Sequence, residues 1–368
     1  MDSFQKRRVF SERNGYLGRR KRKRVLHVLL IALFLVVLSG TFVGYKMLTK
    51  KPSQKMDNQM MTNLATASPA ATDSAVKEQD ADKTSEEASV EAAAQVNPKL
   101  ALVTKDLKKN AKNISSKYAC LVSSNGDVVY SKDADKKMNP ASMTKLMTAL
   151  VIVNNVTDFN KKATIAQDTI NFTLTQNASV AGFEVGEKAK LIDLLYGVLL
   201  PSGAECCITL GQYVAGSDQA FVDLMNEKAK EIGMTNTHFM NSTGLTEKNH
   251  YSSAKDMAIL LQKCMENEQI KKILSEKKHD VGKTNIHKKG FTFYSTVYPK
   301  FSKLDMQGIT LLGGKTGYTD EAGFCLASAA TINKETYFFV SAGGTGSKTV
   351  SANDAQYVYK TVSDIINQ

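Results

Sequence analysis

Residues able to do covalent chemistry fall in three short segments. The first is Pro140-Ala-Ser142-Met-Thr-Lys145, which leads into the apolar run Leu146-Met-Thr-Ala-Leu-Val151. At the start of a helix, positions i and i+3 share a face, so the Ser142 hydroxyl and the Lys145 amine stand side by side. A serine hydroxyl becomes a nucleophile when a base takes its proton, and a neutral lysine can be that base. Burial and a neighbouring cation both lower a lysine pKa. A shift from about 10.4 to near 7 requires roughly 4–5 kcal/mol. The helix N-terminus adds N–H donors for an oxyanion. An ordinary capping serine followed by a solvated lysine fits the same spacing, so this segment alone does not decide.

The second segment is Leu200-Pro-Ser202-Gly-Ala204-Glu205, a loop after an apolar helix, where the serine could equally cap the next helix, 206–214. The third is Gly313-Gly-Lys315-Thr-Gly317-Tyr-Thr319, expected at the edge of the C-terminal strands. Its glycines let a substrate backbone lie against the strand, and Lys315 places a cation beside it.

The elements that position these segments read as an α+β fold. A helix is predicted over 101–113, then strands 118–123 and 127–131 joined at Asn125-Gly126, a strong hairpin pair. A long helix begins near Ser142, and 191–200, 220–232 and 254–267 read as further helices. Strands follow at 309–312, 324–331 and 336–342, with a turn at Asn333-Lys334 and a closing helix over 350–366. Phe324-Cys-Leu-Ala-Ser-Ala-Ala is small and apolar on both alternate faces, as a central strand covered on both sides would be. The pattern predicts an antiparallel sheet flanked by helices plus a helical subdomain, in one domain over 99–368.

The net charge of +12 invites a nucleic-acid reading, but its distribution argues against one. All seven Arg lie in residues 1–24, a basic tip carrying +8, whereas residues 99–368 hold 32 Lys against 26 acids and no Arg. Arg is the usual reader of guanine edges. Residues 25–45 contain no charged side chain, and 21 helical residues span about 30 Å, a bilayer core. The stretch is longer than a signal-peptide core, and no small-residue cleavage site follows closely. It is therefore expected to be an uncleaved transmembrane anchor. Ten basic residues before it outnumber the four Lys just after it, which keeps the N-terminus cytoplasmic and the remainder outside. Residues 46–98, poor in aromatics and rich in Ala, Ser, Thr and acids, read as a flexible stalk with a root-mean-square reach of roughly 40 Å.

As a set, the three segments resemble the signature of penicillin-binding proteins and serine β-lactamases. Flanking text narrows the resemblance to D-alanyl-D-alanine carboxypeptidases. It includes Asn139-Pro-Ala-Ser-Met-Thr-Lys, Asp193-Leu-Leu-Tyr-Gly-Val-Leu-Leu-Pro-Ser-Gly, His238-Phe-Met-Asn-Ser-Thr-Gly-Leu, Asn249-His-Tyr-Ser-Ser-Ala-Lys-Asp and Lys315-Thr-Gly-Tyr-Thr-Asp-Glu-Ala-Gly. The resemblance implies a β-lactamase/transpeptidase-like fold and an enzyme that trims peptidoglycan stem peptides ending in D-Ala-D-Ala, with β-lactams as acylating inhibitors. It makes Ser142 the acylated nucleophile, Lys145 its general base and Ser202 the proton relay to the leaving D-alanine. Lys315 would polarise that hydroxyl and attract the substrate carboxylate, and Thr316 would hydrogen-bond it. Gly317 would let the peptide lie close, and the N–H groups of Ser142 and Tyr318 would form the oxyanion hole. It implies no cofactor and no metal.

One position departs from the family's pattern. The middle segment usually has Asn as its third residue and here has Ala204, while Glu205 stands one place off. This keeps a non-catalytic, wall-binding relative in view. A β-lactamase is the weaker alternative, since a deacylating Glu-x-x-Leu-Asn is absent from residues 146–314. The five cysteines sit mostly in apolar contexts and read as small hydrophobes, with a disulfide between distant ones left open.

Overall fold

The structure, a computed structural model, describes residues 98–368. Helix α1 (Pro98–Lys109) and a 3-10 turn (Ala111–Asn113) lead into strands β1 (Tyr118–Ser123) and β2 (Val128–Lys132). A second 3-10 turn (Ala141–Thr144) runs into α2 (Lys145–Asn155), followed by β3 (Lys162–Thr164), α3 (Gln167–Thr175), β4 (Lys188–Lys190), α4 (Leu191–Leu199), α5 (Ala204–Ala215) and α6 (Asp218–Glu231). Next come α7 (Ala254–Glu266), α8 (Glu268–Ser275), β5 (Lys278–Val281), β6 (Phe291–Tyr294) and the short helix α9 (Tyr298–Phe301). Strands β7 (Ile309–Thr319), β8 (Gly323–Ile332) and β9 (Glu335–Gly344) and helix α10 (Val350–Ile366) complete the chain.

Five strands form one antiparallel sheet in the order β2-β1-β9-β8-β7. Alternate side chains part to opposite faces, as the strand period of two requires. Ala119 and Leu121 of β1, Leu326 of β8 and Phe339 of β9 join a core with α1 and α10 through Val103, Leu107 and Val358. Their neighbours Cys120, Val122, Ala327 and Val340 face the helical block through Leu260 and Leu261 of α7. Strand β8 is thus central and covered on both faces, as its composition predicts. Within the block, every residue of α2 from Lys145 to Ile152 is buried. A helix without a polar face has to be surrounded, and α4, α5, α6 and α7 pack around this one.

The predicted helices over 191–200, 220–232, 254–267 and 350–366 and the hairpin at Asn125-Gly126 are present, Gly126 taking φ +90°. Asn333 and Lys334, both at positive φ, turn β8 into β9. The third-segment strand needs correction. It does not end at 312 but runs through Lys315 to Thr319, so Lys315, Thr316 and Gly317 lie within β7, which is the edge strand of the sheet as expected. The glycine pair lies at a bulge. The register shifts between Leu311 and Gly313, and a Cβ on Gly313 (φ +119°) would stand 1.9 Å from the Leu274 carbonyl oxygen. The opening helix starts at Pro98 and ends at Lys109, earlier than predicted. Helices α3 and α8 and the small pairs β3–β4 and β5–β6 are additions to the sequence reading. The basic tip, the expected anchor at 25–45 and nearly all of the expected stalk lie outside the described residues. Among those described, no helix is long and apolar enough to cross a membrane.

Candidate active site

Ser142 sits in the 3-10 turn rather than in the helix proper, and Lys145 is the first residue of α2. The turn is held in an uncommon shape. Ala141 takes φ +47°, a left-handed conformation that costs a non-glycine residue of order 1–3 kcal/mol. Its N–H donates to Asn139 Oδ1 at 2.9 Å. Two glycines admit the turn. A Cβ on Gly244 (φ +80°) would meet the Ala141 carbonyl oxygen at 1.9 Å, and one on Gly317 would stand 3.1 Å from Ser142 N. The nucleophile's turn is therefore pinched between the loop 241–246 and strand β7, with Gly317 against the Ser142 amide.

Lys145 Nζ donates to Ser142 Oγ at 3.1 Å and to the Thr243 carbonyl at 2.5 Å. In the neutral amine the lone pair can turn to the same hydroxyl and accept its proton. Burial lowers the Lys145 pKa, with Cys207 and Glu205 pulling weakly the other way. On the opposite wall Lys315 Nζ donates to Ser202 Oγ and to the Thr316 carbonyl, each at 2.9 Å. Its pKa is lowered further, by burial first and then by the charge of Lys145. Two ammonium groups in one dry site are unfavourable, so the pair gives up a proton where an exposed lysine keeps it. Ser202 takes φ +71°, which turns its hydroxyl out of the loop before α5 towards β7.

Two cavities of about 320 and 370 Å³ flank the nucleophile and share Ser142, Ser179 and Tyr318 in their linings. The first is lined by Ser202, Thr296, Thr316, Lys300 and Lys348, with Lys300 Nζ donating to the Lys348 carbonyl at 2.7 Å. The second is lined by Lys145, Ala204, Thr243 and the carboxylates of Asp320 and Glu321. A serine hydroxyl against a buried amine, a second such pair across a cleft, and N–H donors at the turn form a constellation for acyl transfer.

A sequence model described as D-alanyl-D-alanine carboxypeptidase matches residues 105–344. The chain belongs to that family. It is 36% identical over 205 residues to the D-alanyl-D-alanine carboxypeptidase DacF of Bacillus subtilis (strain 168), covering 56% of this chain and 51% of the relative. It is 36% identical over 216 residues to DacC of Escherichia coli (strain K12), covering 56% and 50%. It thus spans about half the length of these curated relatives. The crystal structure of the Streptomyces K15 DD-transpeptidase superposes with a TM-score of 0.62 at 27% identity, covering 68% of this chain and 97% of that one.

Against the family's pattern, the structure answers what Glu205 does. Its Oε1 accepts from the N–H groups of Ala181 and Gly182 at 2.6 and 2.9 Å, away from Lys145, and its Oε2 has no hydrogen-bond partner. Glu205 therefore ties down the loop 178–182 rather than replacing the amide missing at Ala204. Burial pushes its carboxyl above the usual range. Lys315 reaches the Ser202 hydroxyl as expected but is fully buried behind Ser202 and Thr316, while Lys300 and Lys348 are among the residues that line the cavity. Thr316 donates its hydroxyl proton to Thr296 Oγ1 at 2.8 Å. The sequence reading missed Thr296, Lys300 and Lys348, because no motif singles out one lysine among so many.

All five cysteines are buried thiols, and no disulfide forms among the described residues. Burial pushes Cys207, whose Sγ faces the Gly203 carbonyl, up to about 11. It therefore stays protonated beside Lys145. His250 is buried behind the turn, accepting from Met240 N at Nδ1 and facing Thr144 Oγ1 with Nε2. Burial holds it at about 4, a neutral structural imidazole. Among the described residues no group of His, Cys, Asp and Glu is arranged to hold a metal ion.

Proposed function

We propose that the chain is a serine-type D-alanyl-D-alanine carboxypeptidase that removes the terminal D-alanine from peptidoglycan stem peptides through an acyl-enzyme on Ser142. The observation that carries this is the pairing of Ser142 with buried Lys145, and of Ser202 with buried Lys315, across one cleft. Lys145, neutral at the moment of attack, takes the Ser142 proton as Oγ adds to the carbonyl of the penultimate D-alanine. The N–H groups of Ser142 and Tyr318 hold the oxyanion. Collapse expels D-alanine, whose nitrogen takes a proton through Ser202. A water molecule, deprotonated by the same base, then hydrolyses the ester. Thr316, Lys300 and Lys348 face the leaving residue's carboxylate. A peptide amine in place of water would give transpeptidation, the reaction named for the Streptomyces K15 relative. A β-lactam acylates Ser142 and is released slowly.

Ala204 favours a second reading, a weakly active relative that holds wall peptides or β-lactams with little turnover. Labelled penicillin separates the alternatives. Covalent labelling with slow release, together with D-alanine release from a D-Ala-D-Ala peptide, supports the carboxypeptidase. Labelling without D-alanine release supports the weak relative. Rapid hydrolysis of the penicillin means a β-lactamase, and no label at all means a binding scaffold.

The proposed location is the outer face of a membrane, with residues 25–45 as a single-pass anchor, because the charge bias flanking that span points the N-terminus inward. Protease added to intact protoplasts is expected to release a soluble, penicillin-binding fragment. A mature chain beginning near residue 45 and secreted would contradict the anchor.

A further inference from the structure

With Ala204 in the middle segment and Glu205 turned away, the buried Lys145 amine has two hydrogen-bond partners among the described residues. They are Ser142 Oγ at 3.1 Å and the Thr243 carbonyl at 2.5 Å. A neutral amine carries two N–H bonds and one lone pair. It works as a base only while that lone pair points at the Ser142 hydroxyl, and a second anchor has to stop it turning away. The Thr243 carbonyl is that anchor. It accepts one N–H, and it accepts a charge-assisted bond once the amine has taken the Ser142 proton.

Thr243 lies in the loop 241–246, which belongs to no helix or strand, yet Ser242 and Thr243 are buried. Buried backbone groups need partners, and one side chain supplies several of them here. Asn241 Oδ1 accepts from Thr243 N at 3.2 Å, from Thr243 Oγ1 at 3.1 Å and from Gly244 N at 2.8 Å. Its Nδ2 donates to the Leu245 carbonyl at 3.0 Å and to Glu247 Oε2 at 3.2 Å. From the opposite side Thr148, three residues along α2 from Lys145, donates its hydroxyl proton to the Ser242 carbonyl at 2.7 Å. The whole amide of Asn241 is thus engaged in closing the loop that carries the anchor.

We propose that Asn241 is a positioning residue for the base: by closing the loop it fixes the Thr243 carbonyl on Lys145 and so keeps the lone pair of the amine on Ser142. The proposal rests on the acyl-enzyme reading above. It gives this chain a backbone anchor for the amine where the methyl group of Ala204 offers none. Ala204 lines the same cavity as Lys145 and Thr243, so the two ways of anchoring the amine can be exchanged by substitution.

The test uses the full chain and follows acylation of Ser142 by labelled penicillin over a range of penicillin concentrations. The saturating rate then separates from the concentration that gives half of it. Asn241→Ala is expected to lower the saturating rate roughly tenfold to a hundredfold, the scale of a small misplacement of a reacting group, with half-saturation unchanged. The deciding variant joins Asn241→Ala with Ala204→Asn. An amide at 204 gives Lys145 a new anchor, and most of the lost rate should return, whereas a loop needed only for folding would not be mended from there. Asn241→Ser, which keeps one short acceptor, should lose less and be rescued in the same way, and it carries the test if the alanine chain does not fold. Wild-type rates in both Asn241 variants would overturn the proposal, and so would a loss that Ala204→Asn leaves untouched. Rescue of labelling with no D-alanine released by any of the chains would uphold the role of Asn241 and remove the carboxypeptidase reading. A wild type that takes no label has no base to position and would overturn both.

Discussion

Ser142–Lys145 and Ser202–Lys315 present the same two groups at nearly the same separation, 3.1 and 2.9 Å, yet they are built differently. The first pair is local, three residues apart, and follows from helical spacing once the turn at Ala141 is made. The second joins residues 113 apart and exists only when β7 is packed against the loop before α5. A short-range pair can be read and can form early. A long-range one reports that the sheet and the helical block have docked. The reaction proposed for the site needs both, so acylation is expected to require the whole fold and not only the turn that carries the nucleophile.

Substitutions that remove one member of each pair separate their roles. Lys145→Ala should produce the largest loss, lowering acylation of Ser142 by labelled penicillin by about a thousandfold, within the range for removing a general base. Circular dichroism should show the fold retained. Lys315→Gln should cost roughly 2–4 kcal/mol in acylation by a D-Ala-D-Ala peptide. Because Lys315 is buried beneath the cleft, the loss should be alike for a peptide acid and its amide. Its pH dependence carries a sign. Burial lowers both lysines, so acylation rises with pH as Lys145 loses its proton. Lys315 is lowered further than Lys145 and is already neutral where Lys145 gives up its proton, so Lys315→Gln should leave the rising limb in place. A limb that moves to higher pH would mean that Lys315 still carries its charge when Lys145 titrates.

Lys300→Gln should be milder and of different character. It faces the leaving-group cavity, so the peptide acid should lose about tenfold and the amide distinctly less, the scale of one charge-assisted contact. Equal losses for acid and amide would return the carboxylate to another partner. The smallest activity effect is expected at Glu205, where stability is the better readout. Glu205→Ala frees two backbone donors at Ala181 and Gly182 and should cost about 1–3 kcal/mol in denaturant unfolding. Glu205→Gln keeps an acceptor there. Because the folded pKa of Glu205 is raised, the stability it contributes is complete below the usual carboxylate range and is lost as pH rises through the folded value. The Gln variant should match the wild type in acid and gain on it towards neutrality.

How much could be read in advance follows the same division between local and distant. The Asn125-Gly126 hairpin, the central position of β8 and the facing of Ser142 and Lys145 depend on near neighbours and were legible. Lys300, Lys348 and Thr296 meet at the cleft only through contacts between remote segments, Lys300 Nζ with the Lys348 carbonyl and Thr316 with Thr296, and nothing local marks them. The sequence pattern ends the strand at 312 because Gly313-Gly314 carries no side chains to continue the alternation, and the bulge there depends on the remote Leu274 carbonyl packed against it. The direction taken by Glu205 depends on the loop 178–182, and the left-handed Ala141 on Gly244, both remote in sequence. The strands β3 and β4, with Lys-Ala-Thr facing Lys-Ala-Lys, carry no hydrophobic run to announce them.

The most direct measurement is intact-mass spectrometry of the wild type and Ser142→Ala after exposure to a β-lactam, with peptide mapping of any adduct. One adduct on the wild type, mapped to Ser142, and none on a folded Ser142→Ala is the expected result. An adduct that survives on the variant, or one that maps to Ser202 or a cysteine, would contradict Ser142 as the acylated nucleophile.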